Sequence, residues 1–450
     1  MQAMSSSGGG PGADAPPAPD APLSTDALLA LDARHVWHPY TQHLHAPAPL
    51  PIARAEGAHL VRADGRRVLD AISSWWVTLH GHAHPAIADA IARQAATLEQ
   101  VIFAGCTHEP AVRLAAALAR IAPPGLTRVF LSDNGSTAVE AAVKMALQAC
   151  ANRGAPRRLV AALENAYHGD TFGAMSVSGR SVFSAPFDAL LFEVARLPDP
   201  SVSGEATLAA FDALLDARGD ELAALIVEPM LMGAGGMRMW SAATLRGLAE
   251  RCRARGVLLI ADEVLTGFGR TGPLFACAHA GIAPDILCLS KGITGGFLPL
   301  GATLATDAVF DAFLSDDRRR TLFHGHSYTA NPIACAAALA SLALLESPDC
   351  DAARTRIEAA HRRGLDALGG RIHAPRVLGT VAAFELVAEG EGYLAGIGRA
   401  LAAHALAHDV LLRPLGDTCY LLPPYCTTDE DLAQAYDVIR AFLDAPRHDA

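Results

Sequence analysis

Between about Arg128 and Thr306 the chain repeats one pattern, in which a short unbroken apolar run alternates with a helix-like or loop segment. The runs are Arg128–Ser132, Arg158–Leu163, Leu222–Glu228, Val257–Asp262, Asp285–Ser290 and Gly301–Thr306. They do not alternate polar with apolar residues, so each strand must hide both faces. A sheet covered on both faces by helices is a mostly parallel sheet of an α/β domain. In such sheets ligands bind beyond the carboxyl ends of the strands. That edge is where the chemistry of this chain should be sought.

Two strand ends carry it. Asp262 closes the run Val257-Leu258-Leu259-Ile260-Ala261-Asp262-Glu263, and Lys291 follows Asp285-Ile286-Leu287-Cys288-Leu289-Ser290. A lysine amine can form a Schiff base with an aldehyde cofactor. A carboxylate at a strand end can hold a pyridine nitrogen protonated, which makes the ring an electron sink. A lone lysine after a strand is ordinarily solvated, so it is the pairing that points to pyridoxal 5'-phosphate (PLP). Ser132-Asp133-Asn134-Gly135-Ser136-Thr137 precedes the helical stretch Ala138–Ala151. A glycine at a helix start offers close backbone approach and free N–H groups, which suits a phosphate. The same run also reads as an ordinary helix cap. Tyr167, in Asn165-Ala166-Tyr167-His168-Gly169-Asp170, is either a ring that stacks on a flat cofactor or a core tyrosine. That motif alone leaves both readings open.

Other motifs tempt and are set aside. Gly267-Phe268-Gly269-Arg270-Thr271-Gly272 matches the dinucleotide fingerprint, but Asp262 and Glu263 separate it from the strand tip and no good helix follows. These glycines are expected to shape a loop. His80-Gly81-His82-Ala83-His84-Pro85 reads as a turn before a helix from Pro85 to Thr97, and no metal is expected there. His324-Gly325-His326 suits an active-site lining better than a metal.

At 450 residues, two domains are expected. A content of 51% hydrophobic and 18% charged residues is that of a well-buried globular chain. The balance of 36 basic and 47 acidic residues, −11 in all, argues against nucleic acid as a partner. Arg318-Arg319-Arg320 follows Asp316-Asp317 and reads as a solvated loop. Nine cysteines without a C-x-x-C pair suggest a reduced, cytoplasmic chain. Residues 1–24 are Ser/Gly-rich, then Pro/Ala/Asp-rich; they are expected to be a disordered extension without signal-peptide character. No run reaches the ~20 apolar residues of a membrane span, and Pro332–Leu345 reads as a buried helix. Residues 25–79 are expected to form the N-terminal part of a small domain, 80–346 the large domain, and 347–450 the rest of the small α+β domain. In that last part, helix-like Ala352–Leu368 and Gly392–His408 flank strands near Val377–Val387, Val410–Arg413 and Tyr420–Leu422.

Taken in order, these motifs resemble the class III (subgroup II) aminotransferases of fold type I, over about Leu28 to Leu443. The pointers are His38-Pro39-Tyr40-Thr41, Ser73-Ser74-Trp75-Trp76, Gly233-Ala234-Gly235-Gly236-Met237-Arg238-Met239, Arg413-Pro414 and Tyr420-Leu421-Leu422-Pro423-Pro424-Tyr425. Asp262-Glu263 and Gly267–Gly272 are class-wide and imply PLP and transamination. The double tryptophan and the His-Pro-Tyr-Thr run resemble members of biotin biosynthesis, which move the amino group of S-adenosyl-L-methionine to 8-amino-7-oxononanoate to give 7,8-diaminononanoate.

The resemblance implies a role for each site residue. Lys291 is the Schiff-base lysine and the proton carrier, and Asp262 pairs with the pyridine nitrogen. Gly135 and Ser136 bind the phosphate. Tyr167 stacks on the ring, His168 supports it, and Glu228 lies near its face. Tyr40, Trp75, Trp76 and Tyr167 line the substrate pocket with Lys291, and Arg413 binds the substrate carboxylate. Gly325, His326 and Ser327 come from the partner subunit of a homodimer and close the site over the phosphate and substrate. Two departures stand out: His326-Ser327 replaces the Pro-Thr found after this glycine in some relatives, and the N-terminal extension lies outside the pattern. The rival readings are another class III ω-amino acid aminotransferase using alanine, glutamate or pyruvate, glutamate-1-semialdehyde aminomutase, and a PLP-binding regulator. The last needs a DNA-binding module, for which 24 acidic leading residues are too few.

Overall fold

The computed structural model describes residues 23–387 and 396–445. The expected disordered extension therefore lies outside the described residues except for Leu23 and Ser24. The first four residues of the helix expected from Gly392 also lie outside them.

Contacts divide the chain into one unit of residues 1–54 and 61–67 and another of residues 55–60 and 68–450. In the first, Ser24 caps the helix Thr25–His35 by accepting the Ala27 N–H. His38 Nε2 lies 2.9 Å from the Asp32 carboxylate.

The second unit is built on a seven-stranded sheet. Its strands are β1 (Leu126–Ser132), β2 (Leu159–Leu163), β3 (Val194–Leu197), β4 (Leu222–Val227), β5 (Leu258–Asp262), β6 (Ile286–Leu289) and β7 (Gly301–Thr306), in the order β1-β7-β6-β5-β4-β2-β3. Neighbours from β3 through β6 run parallel. Only β7 is antiparallel to both of its neighbours, β6 and β1. The expected mostly parallel sheet is thus present, with one reversed strand.

The continuous apolar runs have the meaning assigned to them. Leu159, Ala161, Leu225, Leu259 and Leu287 enter one buried cluster, while Val160, Ala162, Ile226, Ile260 and Ile286 enter another. Successive side chains point to opposite faces of a strand, and here both faces are core. Helix α1 (Gly135–Asn152) covers the second face through Ala138, Ala142, Ala146 and Ala149. The edge strand β3, Val-Ala-Arg-Leu, was not anticipated. Only its last residue is buried, so it lacks a continuous apolar run.

The helix Pro332–Leu345 is buried as expected, with Ala334, Cys335, Ala338 and Leu342 in the core. No single described helix is long and apolar enough to cross a membrane. Beyond it, helices Pro348–Leu368 and Asp429–Asp444 pack with the antiparallel strands His373–Leu378, Val381–Glu385 and Thr418–Leu421 around Phe384, Leu401, Leu421 and Ile439. Val410 and Leu411 pair in parallel with Leu69 and Asp70, so residues before the large sheet join those after it. The expected boundaries at residues 79/80 and 346/347 both fall inside this unit.

Candidate active site

A cavity of about 660 Å³ opens at the carboxyl edge of the sheet. Trp76, Asp133, Gly135, Ser136, Tyr167, His168, Glu228, Asp262 and Lys291 all line it. The topology explains the gathering. Asp262 ends β5, Ser290 and Lys291 follow β6, Glu228 follows β4, and Tyr167 and His168 follow β2. Parallel strands deliver these ends to one edge, and the register pairs Asp262 with Cys288, three residues before the lysine.

Lys291 lines the cavity half-buried, in a left-handed backbone conformation with φ of 46°. Its Nζ sits 4.5 Å from the Trp76 ring centroid. Burial lowers its amine to about 8; Asp262 and Glu228 pull the other way, and Arg270 adds to the lowering. A buried lysine that exchanges its proton near neutrality is suited to nucleophilic and proton-transfer work.

Asp262 is buried. Its Oδ2 lies 2.7 Å from His168 Nδ1 and its Oδ1 accepts the Val264 N–H at 3.1 Å. His168 is fixed in turn by its backbone N–H, which donates to Ser178 Oγ at 2.8 Å. The bonds to His168 and Val264 leave lone pairs of the Asp262 carboxylate unused, and the residue lines the cavity. Glu228 accepts the N–H of Tyr167 at 2.8 Å and of Gly233 at 3.0 Å. Burial raises its carboxyl to about 7, the nearby Asp262 adds to the rise, and His168 and the two backbone N–H groups oppose it.

The start of α1 satisfies both readings of its sequence. Asn134 forms a capping box with Thr137 and takes the Thr137 N–H at 2.9 Å. That cap does not use the Gly135 and Ser136 N–H groups, which a helix start leaves without intrahelical partners. Gly135 is required by space, since a Cβ there would stand 2.7 Å from Val264 Cγ1. Gly169, at φ of 128°, passes so close to Ser136 that a Cβ would collide with its hydroxyl. Free helix N–H groups, a hydroxyl, a half-buried lysine and a buried carboxylate with spare lone pairs are a donor and acceptor set that fits PLP.

The double tryptophan sits in a strained turn. Ser73, Ser74 and Trp76 all have positive φ, at 51°, 59° and 68°. Trp76 is 4% exposed and donates from Nε1 to the Tyr420 hydroxyl at 2.9 Å. Trp75 is 37% exposed, and the Arg413 guanidinium stacks on its ring at 3.9 Å. Arg413 and Trp75 are therefore brought together beside the cavity, although neither lines it. Tyr40 belongs to the first unit, 45% exposed and with φ of 51°.

Gly325, His326 and Ser327 line a different cavity of about 650 Å³, with Ile102, Phe103 and Phe130. Within one chain they do not join Lys291. His326 Nε2 lies 3.9 Å from Asp133 Oδ1, beyond hydrogen-bond reach.

The motifs set aside have structural work. Arg270 is fully buried, donates to the carbonyls of Pro423 at 2.8 Å and Thr78 at 3.1 Å, and lies over the Tyr425 ring. The Gly267–Gly272 loop is thus organised around an enclosed guanidinium. His80 is driven down to about 4 by burial, with His84 adding to the effect. His82 instead bonds Asp70 at 2.8 Å. Among the described residues no group of three or more His, Cys, Asp or Glu is placed to hold a metal.

Sequence reasoning overlooked Glu140 and Thr171. Glu140 Oε1 accepts from Thr171 Oγ1, and Thr171 in turn bonds Ser136. A mid-helix glutamate reads as solvated, and the only signal available was its spacing of four from Ser136 on one helix face.

Comparisons with known proteins establish the family. The family model described as aminotransferase class-III matches residues 40–443, and the chain belongs to that family. It is a PLP-dependent aminotransferase with the α/β fold of that class. Among its relatives is the adenosylmethionine-8-amino-7-oxononanoate aminotransferase of Synechococcus elongatus, 54% identical over 419 residues, spanning 91% of this chain and 98% of that protein. The enzyme of the same name from Nitratidesulfovibrio vulgaris is 43% identical over 92% of this chain and 81% of its own length. Among solved structures, that of the same name from Methanocaldococcus jannaschii superposes with a TM-score of 0.90 at 35% identity, covering 93% of this chain and 99% of that one. An amine transaminase from an uncultivated Pseudomonas species in its PLP-bound form gives 0.86 at 33% identity, covering 91% and 98%.

Proposed function

We propose that this enzyme moves the amino group of S-adenosyl-L-methionine to 8-amino-7-oxononanoate, giving 7,8-diaminononanoate in biotin biosynthesis. The observation that carries the reading is the 54% identity to the Synechococcus enzyme across 98% of that protein. The pairing of Arg413 with Trp75 supports it. A long-chain keto acid needs an apolar wall and a distant anchor for its carboxylate, and a guanidinium lying on an indole offers both.

When bound, PLP supplies an electron-withdrawing ring conjugated to the substrate nitrogen. The protein's own groups do the rest. Lys291 would hold the cofactor through its aldehyde carbon and, once its amine is released, would take and return the proton at the reacting carbon. Its amine, at about 8, needs little driving force to do so near neutrality. Asp262, oriented by His168, keeps the ring nitrogen protonated. Gly135 and Ser136 hold the phosphate, Tyr167 covers the ring, and Glu228 borders its face. Trp75 and Trp76 would exclude water from the apolar chain of the substrate, and Arg413 would fix its carboxylate. Register between anchor and lysine decides which carbon reacts. The working form is a cytoplasmic homodimer in which Gly325, His326 and Ser327 of each chain complete the other's site.

The test is the first half-reaction. Mixing the PLP-loaded enzyme with S-adenosyl-L-methionine should bleach its visible band, and 8-amino-7-oxononanoate should restore it. If alanine or glutamate bleaches the band rapidly and S-adenosyl-L-methionine does not, the proposed donor is wrong and a general ω-amino acid aminotransferase replaces it.

A further inference from the structure

Glu140 lies on α1 one turn beyond Ser136, and its carboxylate turns inward to a neighbouring loop. Its Oε1 accepts three hydrogen bonds, from Thr171 Oγ1 at 2.6 Å, the Gly173 N–H at 2.7 Å and the Ala174 N–H at 3.1 Å. The last two belong to the short helix α2 (Phe172–Val177), whose own N-cap residue, Thr171, makes no side-chain cap bond. Gly173 admits the carboxylate because a Cβ there would overlap it.

Thr171 carries the connection onward. Its backbone N–H donates to Ser136 Oγ at 3.1 Å, and the two hydroxyls are 2.7 Å apart. A carboxylate only accepts, so the Thr171 hydroxyl proton is committed to Glu140. Thr171 can then only accept from Ser136, which fixes the direction of the whole chain. The Ser136 proton points to Thr171 in this chain, so an anion in the cavity would compete with Thr171 for it, while the Thr171 N–H holds the Ser136 oxygen in place in either case. The same contacts anchor the end of the segment carrying Tyr167 and His168. Hydrogen bonds to an ionised group are the stronger kind, and three of them meet on one oxygen here.

We propose that Glu140 is a positioning residue for the phosphate end of the cofactor, acting through Thr171 to set the Ser136 hydroxyl and the Tyr167–His168 loop. This rests on the aminotransferase reading. An ordinary structural role, capping α2, predicts a different pattern of loss, and phosphate dependence separates the two. Cofactor-free protein is titrated with PLP and with pyridoxal, which has the same ring without the phosphate, following the visible band. Glu140→Ala and Thr171→Val should each weaken PLP roughly tenfold, as expected for loss of a charge-assisted hydrogen bond. Pyridoxal should change by less than about threefold. Glu140→Gln keeps an acceptor oxygen and should stay near the parent for both ligands. The double variant Glu140→Ala/Thr171→Val should lose no more than either single one. Equal weakening of PLP and pyridoxal, or an unchanged PLP affinity, overturns the proposal. Should Glu140→Ala fail to fold, Thr171→Val decides by the same two titrations. If the parent protein itself shows no visible band with PLP, the aminotransferase reading fails instead.

Discussion

Asp70 is the residue whose loss should most clearly uncouple substrate binding from cofactor binding. It is 0% exposed and accepts from the Ser74 N–H at 2.6 Å, the Ser74 hydroxyl at 3.2 Å and the Ile72 N–H at 3.3 Å. His82 Nε2 completes the set at 2.8 Å. These bonds hold the turn in which Ser73, Ser74 and Trp76 occupy left-handed backbone conformations. Each such residue costs about 1–3 kcal/mol and persists only where its surroundings enforce it. Asp70→Asn keeps the shape but presents an NH2 group where one oxygen accepted. Facing Ser74 or His82, that group loses an ionic hydrogen bond and meets a donor, at about 2–3 kcal/mol in all. The melting temperature should fall by a few degrees, because the unfolding entropy of a chain of this length is roughly 0.9 kcal/mol per degree. The functional effect should be selective. Trp75 and Trp76 depend on the turn, whereas Asp70 touches none of the groups assigned to the cofactor. The KM for 8-amino-7-oxononanoate should rise about tenfold, matching ~1.4 kcal/mol of misplaced pocket wall, with the PLP dissociation constant unchanged. A variant that melts with the parent and keeps its KM would refute the claim that Asp70 holds this turn in place. Equal loss of PLP and substrate affinity would refute its selectivity.

Three further outcomes test the rest of the site. Lys291→Ala should abolish turnover, and borohydride reduction of the PLP-loaded parent should leave its label on Lys291; label on Lys144 instead ends the assignment. The pH dependence follows from the lowered amine. Only neutral Lys291 can attack the aldehyde, so the rate of PLP incorporation into cofactor-free protein should rise about tenfold per pH unit and level off above about 8; a rise continuing into the ordinary lysine range refutes the lowering. Asp262→Asn should retain the fold and slow the donor half-reaction by orders of magnitude, while mixing inactive Lys291→Ala chains with inactive Ser327→Ala chains should regain activity if the Gly325–Ser327 loop serves the partner's site. A fully active monomer in sedimentation defeats that last reading.

The parts of this fold that could be read in advance are those in which one local pattern has one structural meaning. Unbroken apolar runs as short as Leu222–Val227 suit strands buried on both faces rather than buried helices, and a mostly parallel sheet places their ends along a single edge. That is why Asp262, Lys291, Glu228 and Tyr167, far apart in sequence, could be expected in one cavity. The edge strand Val194–Leu197 escaped because an edge strand need not be apolar throughout. Glu140 escaped for a related reason, since a glutamate inside an amphipathic helix looks the same whether it meets water or caps a neighbouring segment. Nor could the turn at Ser73–Trp76 be read from composition. Its left-handed residues are serine and tryptophan rather than glycine, so its conformation follows from the buried Asp70 below it and not from local propensity.

The division of the site residues has a physical logic of its own. Lys291, Asp262, Glu228, Tyr167 and His168, the groups proposed for the cofactor ring, lie at or just after strand ends, where hydrogen bonds of the sheet limit their movement. Tyr40, Trp75 and Arg413, assigned to the substrate, lie on turns and connecting segments that the sheet does not hold. Two unlike substrates must use one site in turn, so their walls have to adjust while the ring-holding groups stay fixed. The Arg413–Trp75 stack is suited to such adjustment. A guanidinium lying flat on an indole at 3.9 Å can slide across the ring with little loss of contact while its N–H edge stays available to a carboxylate. A bond to a single buried acceptor would fix it for one substrate at the expense of the other.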